Sequence, residues 1–184
     1  WLRDPADGQA YLLFTGSQPG SHKGYSGVVG FAKAIIGDGE ADFELLPPII
    51  SADGVCNELE RPHLIIRDGL YYVFWSSQSC VFAPGGPAGP TGLYGMVGES
   101  LTGQYEPLNG TGLVICNPVA EPRQAYCWQV LDTLEVISFV DHWGLEGRNI
   151  FGEPAVQRRQ FGGTIAPMLK IELEGNRSRL LGLA

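Results

Sequence analysis

The 184-residue chain lacks any CxxC pair among its four cysteines (Cys56, Cys80, Cys116 and Cys127), and its three histidines (His22, His63 and His142) are scattered. That spacing excludes the usual zinc frameworks, and no metal or cofactor is assigned. Disulfide pairing stays open: four cysteines admit three full pairings, and buried free thiols fit as well. An apolar run of about 18 residues is missing, so no segment reads as a membrane span. Positive charge is scarce, with 12 Lys and Arg against 20 Asp and Glu and a formal charge of −8. That balance disfavours a polyanionic partner, and no basic run or basic-aromatic stripe argues for nucleic acid. A neutral ligand such as a sugar is compatible. Neither an initiator Met nor a signal-like start precedes Trp1, so the expectation is a mature or cleaved piece whose natural start lies elsewhere.

Glycine and proline, by contrast, are plentiful: 26 and 13 residues punctuate short apolar runs. AYLLFTG, YSGVVGFAKA, HLIIRDG, LYYVFWSS, GLYGMVGES, TGLVICN, AYCWQVL, EVISFVDHW and APMLKIEL are rich in β-branched and aromatic residues and read as strands. Turn chemistry separates them at Asp7-Gly8, Gly37-Asp38-Gly39, Asp68-Gly69 and Asn109-Gly110. Convincing helical periodicity is missing. The apolar fraction of 44% and charged fraction of 17% describe one folded domain. About nine or ten strands point to an all-β sandwich, barrel or propeller.

A weak repeat separates these options. DGQAYLLFTGS at 7–17 matches DGLYYVFWSSQ at 68–78, and each is followed by a glycine-bearing strand and then by another strand after a polar turn. The period of about 60 residues suits a four-stranded propeller blade with generous loops. Three blade-like units fit, at about 1–55, 56–119 and 120–184. Three blades form an open arc with two exposed edges, so more chain or a partner is expected to close the ring.

The chemistry concentrates in Asn57-Glu58-Leu59-Glu60-Arg61-Pro62-His63. In an extended segment Glu58 and Glu60 share a face, and two adjacent carboxylates repel until one holds a proton near neutral pH. Arg61 offers a forked hydrogen bond to a carboxylate or a sugar hydroxyl, and Pro62 favours a strand start. A rigidly held, protonated Glu is what a glycosidic leaving group needs. A solvated charged turn is the plainer alternative.

NELERPHLIIRDGLYYVF resembles the acidic-Glu-x-Glu-Arg-Pro-His stretch of glycoside hydrolase family 68, the bacterial levansucrases and related β-fructofuranosidases. Further blocks fall in the family's order: GPTGLYGMVGESLTGQYEPLNGTGLVICNP, RQAYCWQVL and FGGTIAPMLKIEL. The resemblance covers most of the chain. It implies a five-bladed β-propeller, of which this chain supplies about three C-terminal blades. It also implies cleavage of sucrose with retention through a covalent fructosyl-enzyme, which passes its fructosyl group to water, sucrose or fructan. The family's acid/base glutamate maps onto Glu60. Glu58 and Arg61 match positions that contact substrate or orient the acid, and Tyr126 matches a tyrosine lining the pocket.

Departures from the family pattern are also informative. Asn57 stands where the family usually has Asp, which puts calcium in doubt. Gln78 stands where an Arg or His normally reaches the acceptor side, so it can hydrogen-bond there without charge, and the balance between hydrolysis and transfer stays open. No Trp-Asp-x-Trp-Pro run is present, so the resemblance implies a nucleophile on the N-terminal portion of the same propeller, as a second chain. Secretion is expected. A non-catalytic carbohydrate-binding propeller fragment is the alternative from another class, and a related propeller enzyme acting on arabinose or fructan chains is a third.

Arg3-Asp4-Pro5 imitates the family's stabiliser triplet, but only Ala6 separates it from Asp7-Gly8. That leaves no room for a strand between triplet and turn. Trp1-Leu2-Arg3 is expected in register with Ile65-Ile66-Arg67, and Asp4-Pro5 in the outer turn.

Overall fold

The computed structural model describes residues 1–19, 24–36 and 41–184; His22 and the Gly37-Asp38-Gly39 turn lie outside them. Consecutive thirds of the chain each form one antiparallel sheet. The first sheet holds β1 (Leu2–Arg3), β2 (Ala10–Ser17), β3 (Gly27–Ile36) and β4 (Ala41–Ser51), in that order. The second holds β5 (Glu60–Arg67), β6 (Leu70–Ser77), β7 (Gly92–Gly98) and β8 (Tyr105–Pro107), with β9 (Leu113–Cys116) also on β7. The third runs β10 (Ala125–Val130), β11 (Glu135–His142), β13 (Leu169–Glu174), β14 (Arg177–Leu183), with β12 (Phe161–Ile165) also on β11. The strands β8 and β14 escaped the sequence reading, as did the helix α1 (Pro154–Gln160), one short segment with Pro at its start.

The sheets stack face to face. β6 is apolar along its length because both its faces are covered: Tyr71 and Val73 join the core shared with the first sheet, while Tyr72 and Phe74 join the core shared with the third. Against the first group lie Tyr11, Leu13, Val29 and Phe31; against the second lie Trp128, Val130, Val136 and Ile171. Polar bonds tie neighbouring sheets as well. Tyr72 Oη donates to Gly175 O (3.0 Å), and the Asn109 side chain exchanges two bonds with Ser178 (2.8 and 2.9 Å). The leading strands β1, β5 and β10 converge, contributing Leu2, His63, Ile65 and Val130 to the walls of one cavity of about 230 Å³.

All four cysteines are free thiols, with Cys56 buried, Cys127 half-buried and Cys80 and Cys116 exposed. The two tyrosines facing acids on the first sheet are held neutral: hydrogen bonds to Asp7 and Asp4 push Tyr11 and Tyr71 each up to about 12.

Candidate active site

Residues 56–59 are pinned carbonyl by carbonyl before β5 begins. Cys56 O accepts from Gly27 N (2.9 Å), Glu58 O from Ser77 Oγ (2.7 Å) and Leu59 O from Thr15 Oγ1 (2.9 Å). Asn57 N donates to Val81 O (2.9 Å), and Leu59 is wholly buried. Gly27 is required here, since a Cβ on it would stand 2.7 Å from Asn57 O. Two sheets therefore deliver Glu60 to a fixed place, with little conformational entropy left to lose.

Glu60 pairs with Ser76 and His63 with Phe74, so three steps on β5 oppose two on β6. This is a β-bulge, and Arg61 takes the left-handed conformation within it (φ 50°). β10 repeats the device: Tyr126 pairs with Phe139 and Gln129 with Ile137, with Cys127 left-handed (φ 56°). Glu60 and Tyr126 are thus equivalent positions on adjacent leading strands, each just before the strained residue. The two bulges aim them at each other, and Tyr126 Oη donates a hydrogen bond to Glu60 Oε2. Bulges of this kind re-aim side chains, and non-glycine residues at positive φ cluster at functional sites.

The carboxyl of Glu60 is pushed above the usual carboxylate range. Burial is the first cause, followed by the charge of Glu58 and a hydrogen bond between the two carboxyls; Arg61 acts in the opposite direction. The expected pairing of Glu58 and Glu60 is therefore present. Arg61 is exposed at the bulge, where its charge also offsets the burial that raises the Cys127 thiol to about 11. Gln78 is half-buried just past the end of β6, two residues beyond the partner of Glu60.

His63 does something the sequence reading did not foresee. Its Nε2 accepts from Val130 N (2.9 Å) while Nδ1 lies 3.0 Å from Arg61 O, so the ring bridges β5 to β10 directly below the bulge. Burial lowers its pKa, which keeps the imidazole neutral and able to accept. Ser76 Oγ makes a second bridge by accepting from Trp128 N (3.2 Å). The signal for these positioning residues lay in the match of the two bulged strands, which composition does not reveal.

Asp4 lies at the other end of the sheet. Its side chain accepts from Ala6 N (2.9 Å) and Tyr71 Oη (2.6 Å), and Tyr71 pairs with Ile66, near the far end of β5 from Glu60. It is a turn residue, as expected, though buried where an outer turn is usually exposed. The register differs by one residue from expectation. Because Tyr11 and Tyr72 occupy equivalent core positions, Leu2, opposite Tyr11, matches Ile65, opposite Tyr72. Trp1-Leu2-Arg3 therefore aligns with Leu64-Ile65-Ile66. Glu60 precedes Ile65 by five residues, whereas Asp4 follows Leu2 by two, so Asp4 is not the first-sheet counterpart of Glu60.

Glu60, a half-buried carboxyl with its pKa raised by burial, thus stands at the head of a strand in an all-β protein of stacked antiparallel sheets. A family profile described as Levansucrase/Invertase matches residues 21–181, and the chain belongs to that family, glycoside hydrolase family 68. A levansucrase from Rahnella aquatilis is 36% identical over 200 residues, an alignment covering 95% of this chain and 45% of that protein. An inulosucrase from Halalkalicoccus jeotgali, solved bound to kestose, is 40% identical with a TM-score of 0.88, over 98% of this chain and 48% of that one. The full-length β-fructofuranosidase from Microbacterium saccharophilum K-1 is 27% identical with a TM-score of 0.80, over 98% of this chain and 42% of that one. The chain spans about half the length of these relatives.

Proposed function

We propose that this chain forms about three C-terminal blades of a five-bladed propeller that cleaves sucrose with retention, as a levansucrase-like fructosyltransferase or β-fructofuranosidase. The observation that carries the reading is Glu60: a half-buried acid with a raised pKa, held by Tyr126 between paired bulges. A purely sugar-binding site has no need of a carboxyl whose proton affinity is raised, which is why the enzyme reading is preferred.

In this mechanism Glu60 gives its proton to the glucosyl oxygen as the glycosidic bond breaks. A carboxylate nucleophile takes the fructosyl anomeric carbon, forming the covalent intermediate. Glu60, now ionised, removes a proton from water, sucrose or a fructan hydroxyl as that oxygen attacks, and free carboxylate and protonated Glu60 are restored. Burial and then the Glu58 carboxyl raise the proton affinity of Glu60, while Glu58, Arg61 and Tyr126 contact substrate or orient the acid. Gln78 faces the acceptor. The nucleophile belongs to the N-terminal portion of the propeller, carried by a second chain, and the assembled enzyme acts outside the cell.

Glucose release from sucrose by the assembled protein tests this reading. Glu60→Gln should lower turnover by about 10²–10⁴-fold, the range expected of a general acid. Near-normal turnover in that variant overturns the assignment. Intact mass spectrometry supplies the companion test: a 19.9 kDa species that cleaves sucrose alone would refute the second chain.

A further inference from the structure

β10 is the leading edge strand of the third sheet, so amides that point away from β11 have no ladder partner in their own sheet. Two of these amides, on Trp128 and Val130, belong to residues that are almost wholly buried. A buried N–H has to find an acceptor, and the second sheet supplies both from side chains. Ser76 Oγ takes Trp128 N (3.2 Å) and His63 Nε2 takes Val130 N (2.9 Å). Ser76 is the β6 partner of Glu60, and His63 follows Glu60 along β5.

The imidazole is fixed on three sides. Its ring stacks on Phe74, a fully buried neighbour and its own cross-strand partner, with centroids 5.6 Å apart. Val130 N can only donate, so Nε2 carries no proton and the ring proton sits on Nδ1. Nδ1–H then donates to Arg61 O at 3.0 Å. That carbonyl belongs to the left-handed residue of the bulge, a conformation that persists at a non-glycine residue only where its surroundings hold it. The ring therefore clamps the bulge from within β5 and ties it to β10 at the same time.

These bonds close a frame around the acid. Residues 60–63 form one side and residues 126–130 the other, each with one left-handed residue, Arg61 and Cys127. Tyr126 Oη on Glu60 closes one end, and Val130 N on His63 closes the other. Strand pairing cannot replace the second closure, since β5 and β10 belong to different sheets. With that end open, each bulged strand is free to turn about its left-handed residue, and the aim of Tyr126 at Glu60 is lost.

We propose that His63, as its Nδ1–H tautomer, is a positioning residue for the acid/base: it locks β5 to β10 and so holds Tyr126 Oη on Glu60. It acts through Tyr126 and touches no reacting atom. The inference rests on the sucrose-cleaving reading above.

The test is made in the assembled protein on sucrose, with two amides that divide the imidazole between them. The side chain of His63→Gln reaches as far as Nε2 and can still accept from Val130 N. That of His63→Asn ends near Nδ1 and leaves Val130 N without an acceptor. His63→Asn should lower kcat about tenfold, more than it alters KM, and move the alkaline limb of kcat/KM to higher pH, the changes expected on losing the Tyr126 hydroxyl. His63→Gln should recover both. Combined with Tyr126→Phe, His63→Asn should add no further loss of kcat, because the group it positions is already gone. An unmoved kcat and limb in His63→Asn, equal loss in His63→Gln, or losses that multiply in the double variant overturn the positioning role and leave the sucrose reading intact. A His63→Asn chain whose activity falls only in step with its folded fraction overturns it too. Absence of glucose release by the unsubstituted assembly overturns both.

Discussion

Tyr126 acts on Glu60 in a direction opposite to the burial around it. A hydroxyl donating to a carboxylate oxygen favours the ionised form, whereas burial and the Glu58 carboxyl favour the neutral one, and the latter prevail. Removing the donor should therefore push Glu60 further upward. An acid catalyst works while protonated, so activity is lost as pH rises through its pKa. In Tyr126→Phe the alkaline limb of kcat/KM should shift to higher pH, and kcat should fall about tenfold as a weaker, less well aimed acid protonates the leaving oxygen. A pH–rate profile of the assembled enzyme on sucrose measures both. A lowered kcat with the limb unmoved would mean that Tyr126 only lines the pocket.

At the scale of strands, close packing between sheets decides where glycine is obligatory. Gly95 on β7 faces the core shared by the second and third sheets, and a Cβ there would stand 2.8 Å from Phe74 Cδ1 and 2.9 Å from Leu108 Cδ1. Both neighbours are fully buried and have nowhere to move. Gly95→Ala should cost about 1–3 kcal/mol by overpacking, read as a lowered Tm in thermal unfolding. An unchanged Tm would show that the core yields more than its burial indicates. Much of this level was legible beforehand. Turn residues and β-branched runs marked most of the strands. What stayed hidden depended on contacts distant in sequence. The bulge at Arg61 was invisible because NELERPH reads as a plain extended run; only pairing across to β6 exposes the extra residue. The partnership of Tyr126 with Glu60, 66 residues apart, and the buried hold of Tyr71 on Asp4, 67 apart, belong to the same kind. α1 was missed because seven residues offer too few turns for a period to register.

For the molecule as a whole, a stack of three sheets covers both faces of the middle sheet and only one face of each outer sheet. Large apolar side chains are accordingly left in water on the first sheet, at Leu45 (75% exposed), and on the third, at Ile165 (75%). Unpaired apolar faces and edges of this kind associate with whatever can cover them. In the proposed ring the N-terminal blades do so, and the same assembly brings the nucleophile to Glu60. Stability and activity are then two readings of one event. The 184-residue chain alone should bind a hydrophobic dye such as ANS strongly and release no glucose from sucrose. Addition of the N-terminal portion should quench the dye signal and start sucrose turnover at the same stoichiometry, because each closed ring buries the apolar faces and completes one site. Dye release without turnover would leave the closed ring intact and remove the nucleophile from it. Turnover by the lone chain would place the nucleophile within these 184 residues.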